Sequence, residues 1–222
     1  MKIKKLKLYT TRLSAQRDFY QKILGLLIIK ETENEVHFHI GNSILIFEQK
    51  AQAIPYHVAI NIPANQENEA LEWLKSRVNI LKYAEKEVQD FTNWNAKAMY
   101  FYDPDKNIME LIARKDLPNT SEQIFDQNAF LEISEIGMPV TDINPIFKLL
   151  HEQCGLEVYD GNFDRFCAIG HETGLFICIN KLEKDYWFPT EDKALSSDFE
   201  VEIQVGGKVY PLRFEKEKLH VL

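Results

Sequence analysis

The chain contains little cysteine and no long apolar segment. Its three cysteines, Cys154, Cys167 and Cys178, are an odd number without the spacing of a metal-binding cluster. We therefore expect reduced, mostly buried thiols in a cytoplasmic protein rather than a disulfide framework. No apolar run is long enough to span a bilayer, and the Lys-rich start is too short and too charged for a secretory signal.

Basic residues are outnumbered as well. The sequence has 26 Lys and Arg residues against 34 Asp and Glu residues, which gives a formal net charge of -8. Such an acidic chain is not expected to bind nucleic acid or an anionic membrane as its main partner. Phosphate-binding loops and nucleophile motifs are also absent from the sequence. With 222 residues, the chain can form one large domain or two small ones.

What the sequence does contain is an internal repeat. Up to residue 50, apolar periodicity predicts a strand, a helix and three further strands, and the same order returns twice later in the chain. Lys5 precedes Gly25 by 20 residues, and Glu135 precedes Gly155 by the same 20. The last segment predicts a fourth copy that is reduced to a strand pair without a helix.

The repeat predicts an α+β protein built of tandem βαβββ modules, with three full modules and a reduced fourth. Repeats of this size cannot bury their own apolar faces, so we expect them to pair into curved mixed sheets with helices on the convex side. The simplest pairing joins the first two modules as residues 1–115, which would hold the site. Residues 116–222 would form the second pair, and a homodimer could cover its exposed sheet edge.

Strand alternation predicts a polar pocket in the first module pair, because side chains two residues apart share one face of a sheet. The alternative is that Lys5 and Lys7 lie on a solvated edge strand and that His37 and His39 lie on a solvent-exposed sheet face. Tyr102 is expected in the pocket wall. The remaining polar residues expected on the shared face are Lys5, Lys7, Tyr9, His37, His39, His57, Asn61 and Glu110.

Two segments resemble a known family. They are "RDFYQKILGLLI" at residues 17–28 and "FYDPDKNIMEL" at residues 101–111. Both are similar to segments of the vicinal oxygen chelate superfamily, which includes glyoxalase I, extradiol dioxygenases and bleomycin or fosfomycin resistance proteins. The resemblance covers nearly the whole chain and implies the tandem βαβββ fold, whereas one such scaffold hosts many reactions.

The resemblance also implies where metal ligands would lie, namely on the first and last strands of a module. His57 and Glu110 match these two positions in the second module. In the first module Lys5 takes the first-strand position and Leu45 the last-strand position. Glu135 takes the first-strand position of the third module, where we expect an exposed or hydrogen-bonded strand residue.

The sequence thus leaves two functions open. One is a metal-dependent lyase or extradiol-type dioxygenase in which His57 and Glu110 hold iron, manganese, zinc or nickel, with Glu110 and Lys5 as catalytic residues. The other is a metal-free protein that binds or sequesters a small molecule, with Lys5 paired to Glu110 in place of the ion. A structural domain with a degenerate cleft is a third reading.

Lys106 replaces the usual glycine of the hairpin turn, so we expect it to adopt a positive φ.

Overall fold

The computed structural model describes residues 1–222 as two β-sheets with three α-helices, which confirms the α+β class. None of the helices combines the length and apolar character needed to cross a membrane. The helices are α1 Leu13–Asp18, which continues as a π-helical turn Phe19–Ile23, α2 Glu67–Lys75 and α3 Asn144–Cys154. The strands are β1 Lys2–Thr10, β2 Ile28–Glu31, β3 Glu35–Ile40, β4 Ser43–Gln49, β5 His57–Ile62, β6 Ile80–Leu81, β7 Gln89–Phe91, β8 Ala96–Tyr102, β9 Ile108–Arg114, β10 Glu132–Val140, β11 Val158–Gly161, β12 Phe166–His171, β13 Gly174–Asn180, β14 Phe199–Val205, β15 Lys208–Glu215 and β16 Lys218–Val221.

Each full module has the same internal pairing. Its first strand runs parallel to its last strand, as in the pairs β1–β4, β5–β9 and β10–β13. A parallel pair needs a crossover connection, and the helix after the first strand begins that connection. The helices bury their apolar side chains against the core faces of the sheets, for example Leu74 in α2 and Leu150 in α3. Three full modules are therefore confirmed.

The reduced fourth module contains three strands rather than the expected two. Strands β14, β15 and β16 form an antiparallel meander. Because successive antiparallel strands need only short turns, this module holds its place in the sheet without a helix.

The expected pairing of the first module with the second is wrong. The first sheet has the order β16-β15-β14-β1-β4-β3-β2 and so joins the first module to the fourth. The second sheet has the order β11-β12-β13-β10-β5-β9-β8-β6 and joins the second module to the third, while β7 also pairs with β8. Each sheet therefore takes strands from both sides of residue 115, and residues 1–115 do not form one sheet.

Charge and burial explain the observed partners. In β1, Lys5 and Lys7 lie opposite Glu202 and Glu200 of β14, so opposite charges face each other across the strand pair. Strands β5 and β10 are buried along their whole lengths. They therefore suit the centre of a covered sheet, where they pair with each other antiparallel.

The turn between β8 and β9 is held by one buried carboxylate. Asp103 accepts hydrogen bonds from the backbone N–H groups of Asp105 and Asn107, from the Asn107 side-chain amide and from the Tyr20 hydroxyl. Since Tyr20 belongs to the helical segment of the first module, this cluster fastens the two sheets together near the turn. Lys106 adopts a φ of 65°, as the sequence predicts.

Asp103 should make the stability of the protein depend on pH. Burial raises its pKa from 3.8 to about 6, although the hydrogen bonds from Asn107 and Tyr20 oppose the shift. A raised folded-state pKa means that the folded protein binds more protons than the unfolded chain in this range. The stabilisation is thus complete below the unfolded pKa and is lost as the pH rises through about 6.

We predict that the wild type loses up to about 3 kcal/mol of unfolding free energy relative to an Asp103→Asn protein as the pH rises from about 4 to about 7. The Asn side chain does not titrate, so only the pH dependence of the difference matters. Urea unfolding of both proteins at the two pH values measures it. A difference that stays constant with pH would contradict the assignment.

Candidate functional site

Three neighbouring strands of the second sheet bring three ionisable side chains together. Ala59 at the centre of β5 lies opposite Glu110 of β9 on one side and opposite Glu135 of β10 on the other. His57 lies two residues earlier on β5, and alternation places its side chain on the same face as Ala59. The small side chain of Ala59 leaves the space between the two glutamates open.

The geometry of these side chains is compact. The Nε2 atom of His57 lies 3.4 Å from Oε2 of Glu110 and 3.8 Å from Oε2 of Glu135. One ligand atom from each of the three residues can be chosen so that all three lie within 4.8 Å of one another. The residues are 5%, 3% and 3% exposed, respectively, so water does not compensate their charges.

A buried arginine compensates one of the carboxylates. Arg114 follows Glu110 by four residues on β9, is fully buried and forms a salt bridge with Oε1 of Glu135. Its Nε donates to Oδ1 of Asn61 at 3.2 Å, and its guanidinium lies 5.3 Å from the ring centroid of Trp94. Glu135 thus gives one oxygen to Arg114 and turns the other towards His57.

The second carboxylate keeps a proton more readily than an ordinary glutamate. Burial and the negative charge of Glu135 raise the pKa of Glu110 well above its usual range, whereas Arg114 and the Tyr100 hydroxyl act in the opposite direction. Burial and Glu110 in turn raise the pKa of Tyr100, which keeps the hydroxyl protonated as a hydrogen-bond donor. The raised pKa values therefore favour the protonated forms of Tyr100 and Glu110 when no other cation compensates the carboxylates.

The imidazole ring of His57 is held by stacking. The ring of Trp187 stacks on it with centroids 5.0 Å apart and planes inclined by 28°, and the ring of Tyr100 lies 6.3 Å away at the same inclination. Nδ1 of His57 is buried and has no hydrogen-bond partner. Gly137 of β10 makes the Trp187 contact sterically feasible, since a Cβ there would lie 2.6 Å from Cη2 of Trp187 and 3.1 Å from Cβ of His57.

The three ionisable residues lie in the wall of a cavity of about 550 Å³. This volume is in the range of small-molecule binding sites. Most of the wall is apolar and aromatic, and the segment that links β13 to β14 covers one side through Trp187 and Phe188. The complete set of wall residues is His57, Asp90, Phe91, Thr92, Asn93, Trp94, Tyr100, Glu110, Ile112, Glu135, Asp160, Phe166, Ile177, Ile179, Lys184, Trp187 and Phe188.

The expected contact between Lys5 and Glu110 is wrong. Lys5 lies on the first sheet and forms a salt bridge of 2.7 Å with Glu202. Lys7 lies on the same sheet, 3.0 Å from Glu48 and 3.9 Å from Glu200. The cause is the module pairing, because β1 belongs to the other sheet.

The other predicted pocket residues divide between the sheets. His39 is exposed on β3, and His37 lies 3.1 Å from Glu35, so neither reaches the cavity. Tyr9 lies on β1 under the ammonium of Lys50, 5.0 Å from the ring centroid. The side chains left near the site are His57, Glu110 and Asn61, the last through its hydrogen bond to Arg114.

Two further residues differ from expectation. Tyr102 is half-buried, donates a hydrogen bond to Asp192 and lines a smaller cavity on the other side of Trp187. Leu45, expected at the last-strand ligand position of the first module, is buried in the main core. In the observed register of β1 and β4, Ile44 and Ile46, rather than Leu45, lie opposite Lys5 and Lys7.

Comparison with known proteins agrees with this architecture. No protein-family model matches the sequence. The chain is 31% identical over 102 residues to the metallothiol transferase FosB of Staphylococcus haemolyticus, a match that covers 42% of this chain and 70% of FosB. The chain belongs to the vicinal oxygen chelate superfamily. FosB of Staphylococcus epidermidis matches at the same identity and length.

Solved structures show that the superfamily fold extends over the full chain. A candidate dioxygenase from Bacillus subtilis superimposes with a TM-score of 0.65 and 16% identity, covering 99% of this chain and 83% of its own. Glyoxalase I from Zea mays gives a TM-score of 0.54 at 14% identity, with coverages of 80% and 66%. At such identities the similarity establishes the fold and leaves the chemistry to the site.

Sequence reasoning overlooked Arg114 and Trp187 of this superfamily member and did not assign Glu135 to the site. Glu135 occupies the first-strand position of its module, as His57 does, and its burial follows once β10 pairs with β5. Arg114 was detectable as a charge four residues beyond Glu110 on the same strand face. Trp187 lies in a connecting segment, where no strand or helix periodicity indicates the direction of a side chain.

We predict that Arg114→Met lowers the unfolding free energy by about 3–5 kcal/mol, because it leaves the buried carboxylate of Glu135 without its cation. The double change Arg114→Met with Glu135→Gln should recover much of the loss. Urea unfolding at neutral pH measures both. Arg213→Met is the matched control, since it removes an exposed pair with Glu200 and should cost less than about 1 kcal/mol.

A second prediction concerns Gly137. Gly137→Ala should force the Trp187 ring away from His57 and lower the unfolding free energy by about 1–3 kcal/mol. The displaced indole should emit at longer wavelength and be quenched more strongly by acrylamide. Emission and quenching equal to those of the wild type would show that Trp187 does not depend on the missing side chain.

Proposed function

We propose that the protein binds one divalent metal ion through His57, Glu110 and Glu135 and acts on a small molecule in the adjoining cavity. The observation that carries the proposal is the meeting of one imidazole and two carboxylates from three adjacent strands in the wall of a cavity. Buried charges of this kind are either paired or coordinate metals.

The donor set fits such an ion. An imidazole and two carboxylates suit zinc, iron, manganese or nickel. Ligand bonds of about 2.0–2.2 Å would place neighbouring ligand atoms about 3–4 Å apart. The separations of 3.4 Å and 3.8 Å between His57 Nε2 and the two carboxylates lie in this range. Three protein ligands leave positions free for water or substrate, as catalytic sites require.

The chain's own residues would do the remaining work. A bound ion would supply a Lewis acid for a substrate oxygen. Tyr100 would hold Glu110 in place through its hydroxyl, and Arg114 would fix the orientation of Glu135. Stacking by Trp187 would orient His57, which has no partner on Nδ1, and Phe188 would help to keep water out of the cavity.

The superfamily supports this proposal. The name of the staphylococcal relative describes a metal-dependent thiol transfer, and the wider fold includes the lyases and dioxygenases implied by the sequence. We therefore include a group-transfer reaction among the candidate reactions of this protein, beside the lyase and dioxygenase reactions. The homodimer and the cytoplasmic location stay predictions.

A metal-free binding protein is the second candidate, and Arg114 favours it. Its guanidinium already compensates Glu135, so only one carboxylate of the site lacks a full cationic partner. The imidazole of His57, 3.4 Å from Glu110, would then face that carboxylate directly, where the first proposal places the ion. In this case the cavity would bind its ligand through stacking and hydrogen bonds alone.

Metal analysis separates the two candidates. Protein purified without chelator, and apoprotein titrated with Mn²⁺, Fe²⁺, Co²⁺, Ni²⁺ and Zn²⁺, should bind about one equivalent of ion. We predict that Glu110→Gln and Glu135→Gln each lower the affinity about 100-fold or more, because even losing an outer partner of a metal ligand costs 10–100-fold. Isothermal titration calorimetry and Co²⁺ absorption measure this.

Glu48→Gln is the matched control. Glu48 also contacts cations, Lys7 and Lys50, but on the first sheet, so the change should leave metal affinity unaltered. Binding of less than about a tenth of an equivalent of every ion tested would reject the metal proposal in favour of the metal-free protein.

A further inference from the structure

One cation in the cavity wall lacks a partner. Lys184 lies in the segment after β13 and lines the same cavity as His57. No carboxylate lies within 4.0 Å of its ammonium, although the side chain is half-buried. Burial, followed by the nearby charge of Arg165, lowers the pKa of Lys184. The ammonium of Lys184 therefore has no carboxylate of the protein as its partner.

The acids in the same wall do not fill this role. Asp160 accepts hydrogen bonds from the indole N–H of Trp94 at 2.6 Å and from the backbone N–H of Gly161. Asp90 accepts one from the Thr92 hydroxyl at 3.1 Å. These carboxylates thus accept hydrogen bonds from neutral neighbours and form no salt bridge with Lys184, which remains available to a ligand.

One aromatic ring lies beside this ammonium, and further rings line the rest of the cavity. Its nitrogen lies 5.8 Å from the ring centroid of Phe166, which packs in turn against Trp94 with centroids 6.3 Å apart. On another part of the wall, Phe188 contacts both Phe91 and Tyr100, with centroids 5.8 Å and 5.7 Å away. Rings arranged in this way favour a flat, aromatic molecule between them.

We propose that the cavity binds a planar aromatic ligand that carries an anionic group, and that Lys184 recognises that group. The ring system would lie among Phe91, Trp94, Phe166 and Phe188, and the anion would meet the ammonium of Lys184. The inference rests on the proposed function in one respect only, since it assigns the other end of the ligand to the residues around His57.

Three small probes of one shape test the charge preference. They are 4-nitrobenzoate, 4-nitrobenzyl alcohol and 4-nitrobenzylammonium, which differ in charge and share a ring that quenches tryptophan emission. The protein has three tryptophans, of which Trp94 and Trp187 line the cavity. The background variant Trp73→Phe therefore confines the signal to the cavity. Metal-free protein is used, so that the carboxylate of the probe cannot bind an ion.

The benzoate should bind about fivefold more tightly than the alcohol, the effect of one partly exposed ion pair. Lys184→Met should remove this preference and leave alcohol binding unchanged, while Lys184→Arg should retain it. Lys193→Met is the matched control, because Lys193 lies on the same connecting segment but is exposed and already paired with Asp185. Far-ultraviolet circular dichroism and thermal unfolding verify that each variant is folded.

Two results would overturn the proposal. Tightest binding of the ammonium probe would show that the carboxylates, rather than Lys184, select the ligand. Equal loss of benzoate and alcohol binding in Lys184→Met would show that the lysine acts through packing alone. Neither result bears on metal binding at His57, Glu110 and Glu135, so the two proposals can fail separately.

Discussion

The arrangement of the second sheet depends on the cost of burying Glu110 and Glu135 on either side of Ala59. Two carboxylates this close repel each other, and burial removes the water that would weaken the repulsion. Arg114 supplies one positive charge from the same strand as Glu110, and His57 faces one further oxygen of each glutamate. The salt bridge leaves Glu135 only one free oxygen, so it also limits how that residue can coordinate an ion. Neither glutamate would be tolerated at this depth without these partners, and the partners are themselves fixed by the register of β5, β9 and β10.

The first sheet meets the same requirement in a different way. Its acidic residues on β4 and β14 lie beside Lys5 and Lys7, so lysines of the protein rather than a bound ion compensate their charges. Because Lys5 and Lys7 are already paired and the side chains are partly hydrated, this face needs neither an ion nor a ligand. The basic start of the sequence is thus the structural partner of an acidic strand near the end, and the polar residues that resemble a pocket in the sequence form a cross-strand ion-pair network.

The sequence alone predicts the modules, because strand and helix periods and the positive φ of Gly25 and Gly155 depend on neighbouring residues. It also predicts that His57 and Glu110 share one face, since both belong to one module. Which modules share a sheet is a long-range question, and the nearest pairing along the chain gives the wrong answer. The alternation of lysines in "KIKKLKLY" with glutamates in "FEVEIQV" was the signal for the correct pairing. Glu135 could not be assigned to the site without it, because its burial depends entirely on β10 lying beside β5.

Pairing also separates the roles of the cations around the cavity. Arg114 is completely buried, and its bonds to Glu135 and Asn61 make it part of the framework that holds the site together. Lys184 is half-buried and lies on a connecting segment rather than on a strand, with the ring of Phe166 rather than a carboxylate beside it. A cation that is already paired with a carboxylate of the protein gains little from an anionic ligand. An unpaired cation in an apolar wall interacts favourably with such a ligand when it binds. The same reasoning explains why binding is expected on the second sheet, although the first sheet carries more charged side chains on its strands.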